Sequence, residues 1–273
     1  MPAELNYNYL VDSHCHLLHL QQQEEESSID CIVKDAYNNN VRVLNNVCTD
    51  INEIDSLRKI AENYECVFYT IGRHPENVVD GIVDIDFLVK EVKNRKVIGI
   101  GESGLDYHYT TENKAQQKKN FEVHIEACRR TKLPLVVHSR DCDKDMIDIL
   151  QQEMKNGEFQ FVLHCFCSSR ELAYIGLDLG GFISFSGILT FKNSSELQSL
   201  PKEIPEDRIL IETDAPFLAP TPFRGQVNKP MYVKNVAEFL AALLNRNFAY
   251  IQNITTRNFF KLFSLCKVDI SDI

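Results

Sequence analysis

Eight short apolar runs alternate with segments of helical periodicity along this chain, and this alternation is the strongest constraint on its fold. Each run is rich in β-branched, aromatic or aliphatic residues. The runs are Tyr9–His16, Val41–Thr49, Cys66–His74, Val97–Leu105, Leu133–Arg140, Phe159–Phe166, Phe182–Leu189 and Ile209–Ala215. Strict β–α alternation predicts parallel strands joined by helical crossovers. Eight such units favour an α/β fold of the closed (β/α)8 TIM-barrel type, with a doubly wound open sheet as the alternative.

The segments between and after the runs show the periodicity of amphipathic helices. They include Ile51–Tyr64, Gln116–Thr131, Asp143–Lys155, Ser168–Leu179, Tyr232–Leu244 and Ile254–Phe263. No linker rich in Pro, Gly or Ser divides the 273 residues. We therefore expect a single domain over residues 1–273, a length that suits one barrel.

Composition limits the classes of function. The net charge of −10 argues against non-specific electrostatic binding of nucleic acid over the protein surface. Metal ions and a few arginines can still neutralise phosphates inside one site. The first residues lack a signal-peptide pattern, and no apolar run approaches the roughly 20 residues that span a bilayer. The nine cysteines form no CxxC pair, which favours reduced thiols. We expect a cytoplasmic protein with no membrane association and no obligate protein partner.

Polar side chains gather where the predicted strands end. His14 and His16 close the first run, and side chains at i and i+2 of a strand point to one face, so both imidazoles can bind one metal ion. Further potential ligands at strand ends are Glu102, His138, His164 and Asp214. In a (β/α)8 barrel the carboxyl ends of the strands form the catalytic face.

Four histidines and two carboxylates exceed what one tetrahedral ion needs if it keeps a position open for water. They suit two divalent metal ions bridged by a carboxylate, for which Glu102 is the candidate. The ligand types lean toward zinc or manganese, with magnesium also compatible, so the identity of the metal stays open. The chemistry that follows from such a site is hydrolysis by an activated water molecule.

Three other residues are candidate substrate contacts. His74 precedes Pro75, so substrate contact and turn structure are equally good interpretations. Arg140 shares a strand face with His138 and suits bidentate binding of a phosphate, with a structural ion pair as the alternative. Arg224, on a later loop, is a weaker phosphate candidate, and Asp106 is expected to cap a loop or to support a ligand.

The ordered set of motifs resembles the TatD-type metal-dependent deoxyribonucleases of the amidohydrolase superfamily. The matching segments are Val11–Leu17, Gly72–Pro75, Gly101–Tyr107, Leu133–Arg140, Leu163–Phe166, Gly181–Gly187, Glu212–Leu218 and Arg224–Pro230. Singly these motifs are of moderate specificity, but their order and spacing over nearly the whole chain are specific.

The resemblance implies how the ligands are divided. His14, His16 and Asp214 would hold one metal ion, His138 and His164 the other, with Glu102 shared. It also implies that Asp214 is the general base and that the substrate is DNA, trimmed at single-stranded ends.

Three departures from the family pattern bear on substrate range. Leu18 stands where the family usually has Asp, Cys167-Ser168 replaces Ser-Gly, and Ser103 replaces an aliphatic residue. None removes an expected ligand.

Two other functions compete with the nuclease. The same barrel could hydrolyse a small lactone, amide or phosphoester, but phosphotriesterase-like relatives tend to place a modified lysine where this chain has Glu102. A non-catalytic interaction protein is disfavoured because binding alone needs no complete set of metal ligands.

Overall fold

The computed structural model describes residues 6–23, 28–108 and 112–268, and its strands follow the predicted runs. The eight strands are β1 (Leu10–Cys15), β2 (Val41–Asn46), β3 (Val67–Ile71), β4 (Val97–Asp106), β5 (Leu135–Arg140), β6 (Phe161–Leu163), β7 (Phe182–Phe185) and β8 (Ile209–Ile211). They lie in the sheet in chain order, and a parallel bridge joins Cys15 at the end of β1 to Ala215 after β8. The (β/α)8 TIM-barrel prediction is confirmed, because a doubly wound sheet would reverse its strand order.

Ten α-helices connect or follow these strands within the described residues. They are α1 (Leu17–Gln23), α2 (Ile29–Asn38), α3 (Ile54–Asn63), α4 (Ile85–Glu91), α5 (Lys114–Thr131), α6 (Asp143–Asn156), α7 (Arg170–Asp178), α8 (Ser195–Ser199), α9 (Val233–Leu244) and α10 (Phe248–Leu262). Helix α10 begins six residues before the predicted Ile254, since Asn247 accepts the Tyr250 amide and starts the helix earlier. In the described parts of the chain, no helix is long and apolar enough to cross a bilayer.

The chain forms two compact units. The first unit contains the described residues up to Asn45, Ser184–Lys261 and Val268, and the second contains Asn46–Ile183 and Leu262–Lys267. The single-domain assignment stays a prediction.

The core of the first unit lies around β1, all six residues of which are buried. Leu240 of α9 and Phe259 of α10 are fully buried in the same unit. The Thr256 hydroxyl of α10 donates to the Tyr9 carbonyl at 2.8 Å, which fixes the helix to the residue before β1. Burial on this scale makes β1 a rigid support for the residues at its carboxyl end.

The second unit is built around β4, whose ten residues are all buried. Strand β5 pairs with it in parallel, with Gly104 opposite His138 and Asp106 opposite Arg140. Gly104 has φ +155°, and a Cβ there would lie 2.0 Å from the His138 carbonyl oxygen. Only glycine therefore lets β4 approach β5 at this point, which sets the position of His138.

Candidate metal centre

The first unit brings together three of the predicted ligands. Nε2 of His14 lies 3.1 Å from Nε2 of His16. Oδ1 of Asp214 lies 3.6 Å from the His14 Nε2 and 3.3 Å from the His16 Nε2. Four ligands at about 2.1 Å around a tetrahedral metal ion are about 3.4 Å apart, so these three atoms have the spacing of one coordination face. The residues fit a divalent metal ion.

Backbone hydrogen bonds hold this first ligand set in register. The Asp214 amide donates to the His14 carbonyl at 2.9 Å, and the His16 amide donates to the Ala215 carbonyl at 2.7 Å. Asp214 itself has φ +59°, a left-handed conformation that costs energy for a non-glycine residue and is typical of functional positions. This strained backbone conformation places the Asp214 carboxylate beside the two imidazoles.

Asp12 is a buried support that the sequence analysis missed. Its carboxylate accepts the Thr213 amide at 2.8 Å and the Thr213 hydroxyl at 2.5 Å, and it also accepts the His14 amide at 3.4 Å. Burial raises the pKa of Asp12 to about 8, although the bonds from Thr213 oppose this shift. The side chain ties the residue before Asp214 to the strand that carries His14.

The second unit brings together the other three predicted ligands. Oε2 of Glu102 lies 2.9 Å from Nε2 of His164 and 3.6 Å from Nδ1 of His138. The two imidazole nitrogens are 3.3 Å apart. The edges of this triangle are within 0.2 Å of those of the first, so it also fits a metal ion. Burial opposes ionisation of Glu102, but His164, His74 and His138 together hold its pKa well below the usual range.

Asp106 combines the two roles that the sequence left open. Its Oδ1 accepts the His108 amide at 2.9 Å, which caps the loop after β4. Its Oδ2 lies 2.9 Å from Nε2 of His138. In this bond the Nε2–H of His138 donates to the carboxylate, so Nδ1 is the ring nitrogen that faces Glu102.

His74 lies beside the second ligand set. One potential metal-ligand atom from each of His74, Glu102 and His138 lies within 4.8 Å of the other two. Its ring centroid is 4.3 Å from that of His138. The Nδ1 of His74 accepts the Glu76 amide at 3.2 Å, which caps the 3-10 helix Pro75–Asp80. The structure therefore shows the turn role. Burial lowers the pKa of His74 to about 3, so the ring is neutral and its proton is on Nε2.

The candidate arginines differ in their surroundings. Arg140 is half-buried at the end of β5, and its carbonyl accepts the Tyr107 amide at 2.9 Å. The guanidinium of Arg224 lies 3.4 Å from the centroid of the Phe191 ring and donates to the Ala219 carbonyl at 3.2 Å. The structure thus shows a structural contact for Arg224, made with the face of an aromatic ring.

Two histidines outside the predicted site also have defined roles. His124 in α5 is fully buried, and its Nε2 accepts the Arg73 amide at 3.1 Å, so it supports the segment that leads to His74. His19 in α1 is half-buried and stacks on His16, with ring centroids 5.3 Å apart. The departures from the family pattern differ in their surroundings. Ser103 is buried and accepts the Asn120 amide group at 3.3 Å, whereas Leu18 is half-buried in α1 and Cys167 is exposed.

A parallel eight-stranded barrel with two clusters of histidine and carboxylate side chains that fit a metal ion is typical of a metal-dependent hydrolase. Comparison with known families agrees, because the model of the TatD related DNase family matches residues 11–264. The chain belongs to this family.

Curated relatives match over almost their full length. A metal-dependent hydrolase of Buchnera aphidicola from Acyrthosiphon pisum is 40% identical over 265 residues, covering 94% of this chain and 100% of the relative. The metal-dependent hydrolase YcfH of Escherichia coli K12 is 38% identical, covering 94% and 96%. YabD of Bacillus subtilis, another metal-dependent hydrolase, is 36% identical and covers 94% and 99%.

Solved structures show the same fold. YJJV, a TatD homologue from Escherichia coli, superposes with a TM-score of 0.82 at 23% identity, covering 93% of this chain and 98% of the other. A TatD family hydrolase from Entamoeba histolytica gives 0.81 at 20% identity, covering 93% and 97%.

Proposed function

We propose that this protein is a two-metal deoxyribonuclease that trims single-stranded DNA from its ends. The observation that carries the proposal is the presence of two triangles of ligand atoms with edges of 2.9–3.6 Å. One triangle contains the side chains of His14, His16 and Asp214, and the other contains Glu102, His138 and His164. We place Glu102 as the ligand shared by both metal ions, as the family resemblance implies.

Bound divalent metals would lower the pKa of a water molecule and offset the charge that develops on a phosphodiester. Asp214 is then the general base, which holds the proton taken from the attacking water. Its Oδ1 lies 3.6 Å from the His14 Nε2 and 3.3 Å from the His16 Nε2, and a carboxylate in this position can accept a proton. The backbone hydrogen bond from the Asp214 amide to the His14 carbonyl holds this residue beside the two imidazoles.

His74 is well placed to bind the substrate as a hydrogen-bond donor. Its Nδ1 is occupied by the Glu76 amide, so only Nε2–H is available, and a neutral N–H suits a phosphate oxygen better than it suits a metal ion. We therefore assign His74 to substrate binding in addition to its turn role, and exclude it from the ligands.

Arg140 and Arg224 are the proposed phosphate contacts. A planar guanidinium can bind two phosphate oxygens at once. Stacking on Phe191 fixes the plane of the Arg224 guanidinium, which reduces the entropy that binding would cost. With a net charge of −10, affinity for DNA would come from these few cations and the metal ions, and not from the general surface. A cytoplasmic location stays part of this proposal.

The test is a cleavage assay on end-labelled single-stranded DNA. Purified protein is incubated with DNA labelled at either the 5′ or the 3′ end, with EDTA or with Mg²⁺, Mn²⁺ or Zn²⁺ added back. We expect mononucleotide release from one end with metal and none with EDTA. Blunt duplex DNA of the same sequence and panels of lactones and esters serve as comparison substrates. Metal-dependent turnover of a lactone or ester with intact DNA would refute the nuclease.

A further inference from the structure

Phe217 presents an exposed aromatic ring next to the first ligand set. The side chain is 46% exposed, whereas Phe259 in the same unit is fully buried. Its ring centroid lies 6.3 Å from that of His16, with the planes at 65°. A large apolar ring left in solvent loses the stabilisation of burial, so its position beside a ligand is best explained by a binding role.

The backbone of Phe217 is held firmly. Its amide donates to the Asp214 carbonyl at 2.9 Å, and its carbonyl accepts the Asn228 side-chain amide at 2.6 Å. Asn228 is fully buried and also donates to the Thr213 carbonyl at 2.8 Å. The ring therefore belongs to the same hydrogen-bonded segment as Asp214. The bonds of this segment fix the backbone position of Phe217 relative to the first ligand set.

A ring held in this way suits a flat apolar partner. Every nucleobase has a π-face, so stacking on an aromatic side chain binds unpaired bases with little dependence on sequence. A base-paired nucleotide cannot offer that face, except at a duplex end. No charged group is required, which agrees with the acidic character of the chain.

We propose that Phe217 is a substrate-binding residue that stacks on one nucleobase adjacent to the phosphodiester that is cleaved. This assignment rests on the proposed deoxyribonuclease function and makes it more specific. It gives the enzyme a preference for unpaired nucleotides and little discrimination among the four bases.

The experiment compares F217A, F217L and F217W with the unaltered protein on a single-stranded oligonucleotide and on the same backbone with abasic terminal nucleotides. Loss of one stacked base corresponds to about a 5- to 150-fold change. We expect F217A and F217L to raise KM on intact DNA by this factor with little change in kcat. F217W keeps an aromatic face, so its KM should stay close to that of the unaltered protein. On abasic DNA the unaltered protein should fall to the level of F217A, because the base that stacks is missing.

Several results would overturn the assignment. One is an equal KM for F217A and unaltered protein on intact DNA, and another is full activity of F217L, which keeps apolar bulk but has no π-face. If F217A contained less metal and its kcat fell to match, the role of the ring would be to hold His16 in position and not to bind a base. If the unaltered protein cleaves no DNA at all with any metal, the proposed function itself fails, and that result is distinct from the others.

Discussion

Oδ2 of Asp106 lies 2.9 Å from Nε2 of His138, and the opposite nitrogen of that ring faces Glu102. A carboxylate behind a histidine ligand fixes its tautomer and raises its basicity. Asp106 therefore determines which nitrogen of His138 is available to a metal ion, although it is not itself one of the proposed ligands.

Replacing Asp106 with Asn should weaken metal binding by about 10- to 100-fold and leave the fold intact, because the amide gives His138 a weaker acceptor. Isothermal titration of the metal-free protein with Zn²⁺ or Mn²⁺ measures this. The matched control is D141N, since Asp141 is exposed and contacts only the exposed His108 ring in the described structure. Equal affinities for D106N and D141N would show that Asp106 acts only as a loop cap.

Replacing Asp214 with Asn should reduce single-turnover cleavage by about 10³-fold or more, because the general base and a ligand are lost together. The melting temperature of the metal-free protein should change little, since asparagine has nearly the shape of aspartate and keeps the backbone hydrogen bond to the His14 carbonyl. D207N is the control, as Asp207 forms an exposed ion pair with Lys261 at 2.9 Å. Undiminished cleavage by D214N would remove Asp214 from the mechanism.

His124 should make the stability of the protein depend on pH. Burial lowers its pKa from 6.5 to about 4, so the folded state favours the neutral ring. Its contribution to the free energy of unfolding is complete above pH 6.5 and is lost as the pH falls toward 4, where the unfolded chain binds the proton first. The loss is on the order of 3 kcal/mol.

Urea unfolding of metal-free protein at several values between pH 4 and 7 measures this contribution. H124Q should flatten the curve over that range, because glutamine can accept the Arg73 amide and does not titrate. H108Q is the control, since His108 is exposed. Parallel curves for H124Q and the unaltered protein would exclude His124 as the source of the pH dependence.

Replacing Gly104 with Ala should destabilise the protein by more than about 3 kcal/mol and reduce metal binding, because the new Cβ would collide with the His138 carbonyl oxygen. Thermal unfolding and metal titration report the two effects. G180A is a matched control, since Gly180 also has a positive φ of +85° but would place its Cβ in open space. Similar losses for both variants would attribute the effect to backbone strain alone.

Much of the fold and of the ligand set could be predicted because both depend on periodicity. The alternation of runs predicted the strand order, and the ends of those runs predicted His14, His16, Glu102, His138, His164 and Asp214. The structure brings these residues together within each unit, and their ligand roles stay predictions until metal binding is measured.

The supports could not be found in the same way, because they depend on contacts between distant segments. The bonds from Thr213 to Asp12 join residues at opposite ends of the chain. The charge of Arg224 is visible in the sequence, but its stacking on Phe191 is a property of two loops in space. Phe217 gave no signal, since an aromatic residue after a strand is usually part of the core.

The hydrogen bond from the Asp214 amide to the His14 carbonyl has a consequence for synthesis of the protein. The ligands of the first set come from opposite ends of the chain, so that set cannot form until residue 214 has been translated. Glu102, His138 and His164 are all present much earlier in a growing chain. A product that stops before β8 would contain Glu102, His138 and His164 but lack Asp214, the proposed general base.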